Sequence, residues 1–224
     1  MTRRVLAIAS TIVVLALAAT AVIVGATLGE GAQLPVHWGL DGTPDRYADR
    51  WQALLIPVAF AASMSLLFYF LPAIEPRREG LERSWGLYMW TWAGLLLVSL
   101  AIQFVTVATA YDWDVAPHRV IAGAVGALLV LIGNQLGKSR SMYMVGIRTP
   151  WTLASEEVWV KTHRLGGKLM VLAGLIVISG ALIALPPEIM AIVTGVAVGI
   201  AALFPAAYSF WLWRKEGRNG QPRR

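Results

Sequence analysis

The residues best suited to chemistry stand in one polar stretch, residues 30–51, which holds His37, Asp41, Asp45 and Asp49. A second polar stretch adds Asp112, Asp114 and His118. An imidazole among carboxylates is the donor set of a metal-dependent hydrolase, but such sites need three or four converging donors, and neither HExxH nor a comparable spacing occurs. The competing reading makes Asp41 and Asp45 turn formers and lets His37 pack or hydrogen-bond beside Trp38. We take this second reading, so neither a metal nor another cofactor is expected. There is no cysteine, which removes thiol catalysis, iron–sulfur clusters and cysteine-bound zinc. The third histidine, His163, stands beside Trp159 in a basic stretch. Its structural reading is a hydrogen-bonded, packed ring; its functional reading is a pH-sensitive or partner-contacting group.

The elements that must position these residues are membrane helices. The 224 residues are 57% hydrophobic and 14% charged, against about a quarter charged in soluble domains. Too few charges exist to cover a water-facing surface, which excludes a soluble enzyme. Apolar stretches run over residues 5–28, 52–71, 87–110, 120–136, 169–185 and 189–213. At about 1.5 Å rise per residue each spans the hydrocarbon layer as a helix, the shorter ones nearly upright. The first is longer than a signal-peptide core and reads as an uncleaved signal anchor. Of the 19 lysines and arginines, only Arg46, Arg50 and Arg119 fall on the side opposite the N-terminus. Basic loops stay inside, so both termini are expected in the cytoplasm. Trp51, Trp85, Trp113, Trp211 and Trp213 stand at span ends, and Pro57 and Pro205 are expected to kink spans two and six. Gly25 with Gly29, Gly133 with Gly137, and Gly195 with Gly199 have the spacing that lets helices approach closely. No ionisable residue falls in the spans so drawn, which counts against an ion-coupled transporter. Thr91, Ser99, Gln103, Thr106, Asn134 and Gln135 are the milder polar groups, read chiefly as interhelical hydrogen-bond partners.

Recognition is therefore expected in the two long loops. In the outer one, Pro35 favours an extended approach, and Asp41-Gly42 and Pro44-Asp45 are turn pairs, giving a compact hairpin-like cap. The run Leu34-Pro35-Val36-His37-Trp38-Gly39 followed by Asp41-Gly42-Thr43-Pro44-Asp45 resembles the signature of the DUF1648 domain, a membrane helix pair joined by an outer loop. Gly39 stands where that family usually has Asn, and Arg50 where it often has Lys.

The inner loop, 137–168, is basic. Pro150 holds Thr149 extended, Thr152 and Ser155 are candidate N-caps, and Glu156 and Glu157 suit a first helical turn. Glu157, Lys161, Arg164 and Lys168 share one face, Val158, Thr162, Leu165 and Leu169 another, with Trp159, His163 and Gly166 on its flank. This spacing predicts an interfacial amphipathic helix that bends at Gly166-Gly167 into the fifth span. Arg148 is read as a ligand of lipid phosphate or helix-end carbonyls. The near-continuous run from Gly146 to Leu169, which includes Arg148, Thr149, Pro150, Trp151, Thr152, Glu156, Trp159, Lys161, His163 and Arg164, is similar to the signature of the SdpI family. Gly133-Asn134 matches the family's preceding Gly-Asn pair, and Met142 replaces a usual Asn.

The fold expected is an all-α integral membrane protein with six transmembrane helices. Residues 1–72 form the DUF1648-like pair, and residues 73–224 an SdpI-like four-helix region. Membership implies a non-enzymatic, multi-pass protein of the bacterial cell membrane that gives resistance to a secreted peptide toxin. It implies signalling too, by binding a cytoplasmic transcriptional repressor. Outer-loop recognition would fall to Pro35, His37, Trp38, Asp41, Gly42 and Asp45, with membrane lipid as the standing partner. The alternatives are a passive or peptide-handling transporter lined by Gln103 and Thr106, and a metal-dependent membrane enzyme built on His37, Asp41 and His118. Direct nucleic-acid binding is rejected, because the basic residues follow the inside rule. Alkaline phosphatase fused within residues 30–51 should be active in cells, and the same enzyme fused at the C-terminus inactive; the reverse pattern would invert the topology.

Overall fold

The computed structural model describes residues 2–218, so Arg223 and Arg224 of the basic tail lie outside the described residues. Its long helices are α1 (Arg3–Thr27), α2 (Arg50–Ile74), α4 (Trp85–Ala110), α5 (Pro117–Leu136), α7 (Glu156–Leu182) and α8 (Pro187–Arg218). All six are long and apolar enough to cross a bilayer. Two short helices, α3 (Arg78–Arg83) and α6 (Pro150–Ala154), lie in the connections, and the α1–α2 connection forms the antiparallel strands β1 (Gln33–Trp38) and β2 (Pro44–Asp49). Helix starts follow local chemistry. Asp49 caps α2 by accepting the Trp51 N–H at 2.9 Å, α5 opens on Pro117, and Ser155 caps α7 by accepting the Val158 N–H at 3.2 Å.

Consecutive long helices pack as antiparallel neighbours, and α4 also touches α1. Arg3 lies over the Tyr69 ring at the end of α2, 4.6 Å from its centroid, and the Ser155 hydroxyl donates to Glu216 on α8 at 3.3 Å. Both ends of the described chain therefore lie opposite the hairpin. Near that end Phe68, Tyr88 and Trp92 form an aromatic cluster with centroids 5.6–6.0 Å apart. Its polar tips are satisfied at membrane depth, with Tyr88 donating to the Phe68 carbonyl at 2.6 Å and Trp92 to the Ser65 hydroxyl at 3.4 Å.

The closest helix contact joins α5 and α7, backbone against backbone. A methyl group at Gly133 would stand 2.7 Å from the Gly167 carbonyl oxygen, and one at Gly167 would stand 2.7 Å from that of Gly133. Two turns on, Gly126 and Gly174 repeat the arrangement at 2.8 and 2.5 Å. Only glycine fits four such positions, because lipid supplies no hydrophobic drive and close packing has to supply the attraction. On the other side of α5, Gly94 of α4 receives Leu128, whose δ-carbon would lie 2.5 Å from an added methyl.

Several expectations need correction. The helix before span five is not a separate interfacial element: α7 runs unbroken from Glu156 to Leu182, thirteen residues ahead of the expected span start at Leu169. Gly166 and Gly167 are helical and buried. They serve contact with Ile147, Leu136 and Gly133 rather than a bend. Thr152 does not cap α7 but sits in α6, where Thr149 is the cap. Gly25 makes room for the Trp51 ring, whereas Gly29, Gly195 and Gly199 face open space within 4 Å and hold no helix pair together.

Gly133→Ala and Gly174→Ala should each destabilise the protein by about 1–3 kcal/mol through overpacking, whereas Gly195→Ala should change stability by less than about 0.5 kcal/mol. Thermal unfolding of the three variants in one detergent tests this, and equal tolerance at all three positions would refute the contact.

Candidate functional site

The hairpin end is built from local turn chemistry. Gly42 has φ +78°, a left-handed conformation that glycine adopts freely, and it faces Pro187 so closely that a methyl would lie 2.7 Å from the proline ring. The Gly39 N–H donates to the Thr43 carbonyl at 2.8 Å. Asp41 accepts the Thr43 N–H at 3.0 Å and the Thr43 hydroxyl at 2.8 Å. His37 Nδ1 lies 2.6 Å from the Asp45 carboxylate across the strands, and both side chains are half exposed. At the base the Arg50 N–H donates to Ala32 at 3.0 Å, and the Arg50 guanidinium donates to the Leu28 carbonyl. Pro35 is buried at its pairing with Tyr47.

Beneath this hairpin lies a cavity of about 670 Å³. His37, Trp38 and Leu40 roof it, with Ile56 of α2 and Ile102 of α4 on one wall. His118, Ile121 and Val125 of α5 and Met190, Thr194 and Gly195 of α8 complete it. The lining is almost wholly apolar, and the Thr194 hydroxyl is buried without a hydrogen-bond partner among the described residues. That is the profile of a site for a mainly apolar ligand with a few polar groups. Of the six outer residues singled out from the sequence, His37, Trp38 and Gly42 reach the cavity, while Pro35, Asp41 and Asp45 shape the hairpin. His118 lines the cavity but does not join His37 and the aspartates: no group of three or more potential ligands that could hold a metal ion forms among the described residues.

At the opposite end the basic loop folds into a hydrogen-bonded knot. His163 is fully buried and stacks on Trp159 with centroids 3.9 Å apart. Its Nε2 accepts the Ile147 N–H at 2.9 Å, which fixes that nitrogen as unprotonated, so Nδ1 carries the proton and donates to the Trp159 carbonyl at 2.8 Å. Gly146, at φ +119°, passes over this pair where a methyl would meet His163 Nε2 at 2.7 Å. Thr149 and Thr152 form a reciprocal capping box at the start of α6, opened by Pro150. The Thr152 hydroxyl also donates to Ile147 at 2.8 Å, and Thr149 shares a 3.0 Å hydrogen bond with Ser209 of α8. Trp159 donates to Ser139 at 3.2 Å, and Trp151 packs on Phe210 at 4.9 Å. Arg148 reaches the Tyr143 carbonyl at 2.6 Å, Glu156 accepts the Ser141 N–H at 3.3 Å, and Lys161 pairs with Glu157. Asn134 and Arg164 stand exposed outside the knot.

Sequence reasoning missed Glu75. Its buried carboxylate accepts the N–H groups of Arg77 at 2.9 Å, Tyr143 at 3.0 Å and Met144 at 2.7 Å, while Arg77 donates to Ser141 and, at 3.1 Å, to the Leu153 carbonyl. Together they clamp the basic loop to the end of α2. The signal was an acid at the end of an apolar span, two residues ahead of the Arg77-Arg78 pair. In α4 the hydroxyls of Thr91, Ser99 and Thr106 bond back to their own helix, and buried Gln103 has no partner among the described residues. They do not form a continuous polar lining.

Six helices long and apolar enough to cross a membrane, with a hairpin at one end and a hydrogen-bonded knot at the other, define a multi-pass membrane protein. Residues 138–209 match the family model described as the SdpI/YfhL protein family, and residues 11–61 match that of a domain of unknown function, DUF1648. The chain is 24% identical over 145 residues to the immunity protein SdpI of Bacillus subtilis (strain 168), covering 65% of this chain and 67% of that protein. No solved structure matches. The chain is thus similar to the SdpI/YfhL family over residues 138–209, with a DUF1648-like segment ahead of that region.

The Thr43 N–H, followed by its hydroxyl, holds the Asp41 carboxyl below the usual carboxylate range. A lowered folded-state pKa gives stabilisation that is complete above the unfolded value and lost as pH falls through the folded one. Protection of the Thr43 amide against hydrogen exchange, corrected for intrinsic rate, should hold above about pH 5 and fall in acid. In Asp41→Asn it should show no such fall; an unchanged acid profile in that variant would assign the effect elsewhere.

Proposed function

We propose that this protein is a non-enzymatic immunity protein that protects its cell by receiving an apolar segment of a secreted peptide toxin in the cavity beneath the outer hairpin. The observation that carries this reading is the cavity itself, a mainly apolar chamber beneath the hairpin, roofed by His37 and Trp38. Kinship with a protein named as an immunity protein supports it. In the orientation that the lysine and arginine distribution favours, the hairpin is outside and both termini are cytoplasmic, so the cavity lies toward the side from which a secreted peptide arrives. On the inner side, Glu156, Arg148 and the knot around His163 hold the basic loop in one conformation. The exposed cations around that loop offer a surface to a cytoplasmic repressor.

The test is survival of a strain sensitive to the sporulation-delaying peptide when it expresses this chain. Protection is expected. Gly195→Trp, which fills the cavity from a position where an added side chain meets nothing within 4 Å, should lower survival at least about tenfold, the loss of a single well-packed contact. Full protection by Gly195→Trp at normal membrane abundance would remove the cavity from the mechanism. Sensitivity of cells expressing the unaltered chain would remove this peptide as the ligand.

A further inference from the structure

A second concavity, of about 520 Å³, runs between α5 and α7 near the end bearing the termini. Its floor is the glycine contact, where Gly133, Gly137 and Gly167 expose backbone instead of side chains. Its rim carries Lys138, Arg164 and Lys168 with the exposed amide of Asn134, and contains no acid. Below the rim it continues along Val171, Leu172 and Leu175, the two leucines being 55% and 50% exposed.

The charge on this rim is uncompensated. One turn away Lys161 pairs with Glu157, but none of the ion pairs among the described residues includes Lys138, Arg164 or Lys168. Arg164 and Lys168 are one turn apart on the same face of α7, a spacing at which like charges repel. Depth sharpens the point. Gly167 lies against Gly133, three residues before the end of α5, so Lys168 stands roughly 5 Å inside the level where that helix stops. A lysine there has to extend its ammonium to the interface or meet an anion.

We propose that this groove binds one anionic phospholipid, with its headgroup phosphate held by Lys138, Arg164 and Lys168 and an acyl chain lying along Leu172 and Leu175. Asn134 donates a hydrogen bond to the same headgroup. The apolar continuation of the groove selects a lipid over a free phosphate, and the three cations select an anionic headgroup over a zwitterionic one. The site is independent of the outer cavity and of the immunity reading.

The test uses the delipidated full chain in neutral detergent, titrated with phosphatidylglycerol, phosphatidylcholine or inorganic phosphate and followed by native mass spectrometry. Phosphatidylglycerol should bind one molecule per chain. Its affinity should drop on the order of a hundredfold in Lys138→Gln/Arg164→Gln/Lys168→Gln, from about 1 kcal/mol per basic residue. Arg4→Gln/Arg78→Gln/Arg83→Gln, which removes as much charge from the α2–α4 side of the same end, should leave it unchanged. An equal drop in both variants would reduce the effect to bulk charge and overturn the site. Equal binding of phosphatidylcholine, or displacement of the lipid by phosphate alone, would overturn the assigned ligand. A measurement that needs no variant is photolabelling of the unaltered chain by phosphatidylglycerol with a diazirine near the middle of an acyl chain. Label at Leu172 or Leu175 supports the pose, and label confined to other helices refutes it.

Discussion

The contact on which the rest of this structure depends is the meeting of two bare backbones, α5 and α7, at Gly126 with Gly174 and Gly133 with Gly167. In water such a contact would be a minor addition to hydrophobic burial. In lipid it is a main source of helix attraction, because hydrocarbon tails solvate leucine as well as a neighbouring helix does. The spacing of seven residues on each helix places both pairs on one line, so the antiparallel pair is fixed in register as well as in distance. With that register set, Gly137 falls beside Arg164, Gly166 beside Leu136 and Ile147, and the loop between the helices has one place left to go.

The two ends of the bundle differ in how densely their polar groups are bonded. Near the termini nearly every polar atom of the knot has a partner, and several have two. Thr152 bonds to both Thr149 and Ile147, and His163 uses both ring nitrogens. A buried network so densely bonded is rigid, since each bond fixes the orientation its neighbours require, and the Thr162 hydroxyl is its one buried side-chain atom without a partner among the described residues. The run from Gly146 to Leu169 therefore chiefly holds shape, and its exposed charged side chains, Arg148, Glu156, Lys161 and Arg164 among them, are what it presents. The hairpin end is looser. Its turn is solvated, its His37–Asp45 pair is half exposed, and the chamber below leaves Thr194 without a partner.

Membership of the membrane class, the number of helices and the hairpin were legible in the sequence, because each rests on local chemistry: hydrophobic run length, Asp-Gly turns and proline. The structural reading of His163 was legible for the same reason, since Trp159 precedes it by one helical turn. The continuity of α7 was not. Gly166-Gly167 carries a low helix propensity, and the flanking charges made an interfacial segment the natural inference. Packing against Gly133 reverses that preference, and α5 supplies this contact from 34 residues away in the chain. The outer cavity was equally hidden. Its walls come from four helices and the hairpin, and an apolar residue facing a chamber is indistinguishable in sequence from one facing lipid. Gly195 and Gly199 show the reverse case, a pairing motif with nothing paired to it.

The order of the chain also gives the bundle a chronology. The α5 and α7 helices are separated by the 19 residues 137–155, and the knot draws nearly all its groups from residues 139–163. Once α7 has followed α5 out of the ribosome and into the bilayer, the glycine pairs can close and the histidine can find both of its partners. Two bonds must wait, those of Thr149 with Ser209 and of Ser155 with Glu216, because α8 follows α7 in the chain. The arrival of α8 thus pins an already assembled loop, and the chamber beneath the hairpin acquires its α8 wall at the same moment.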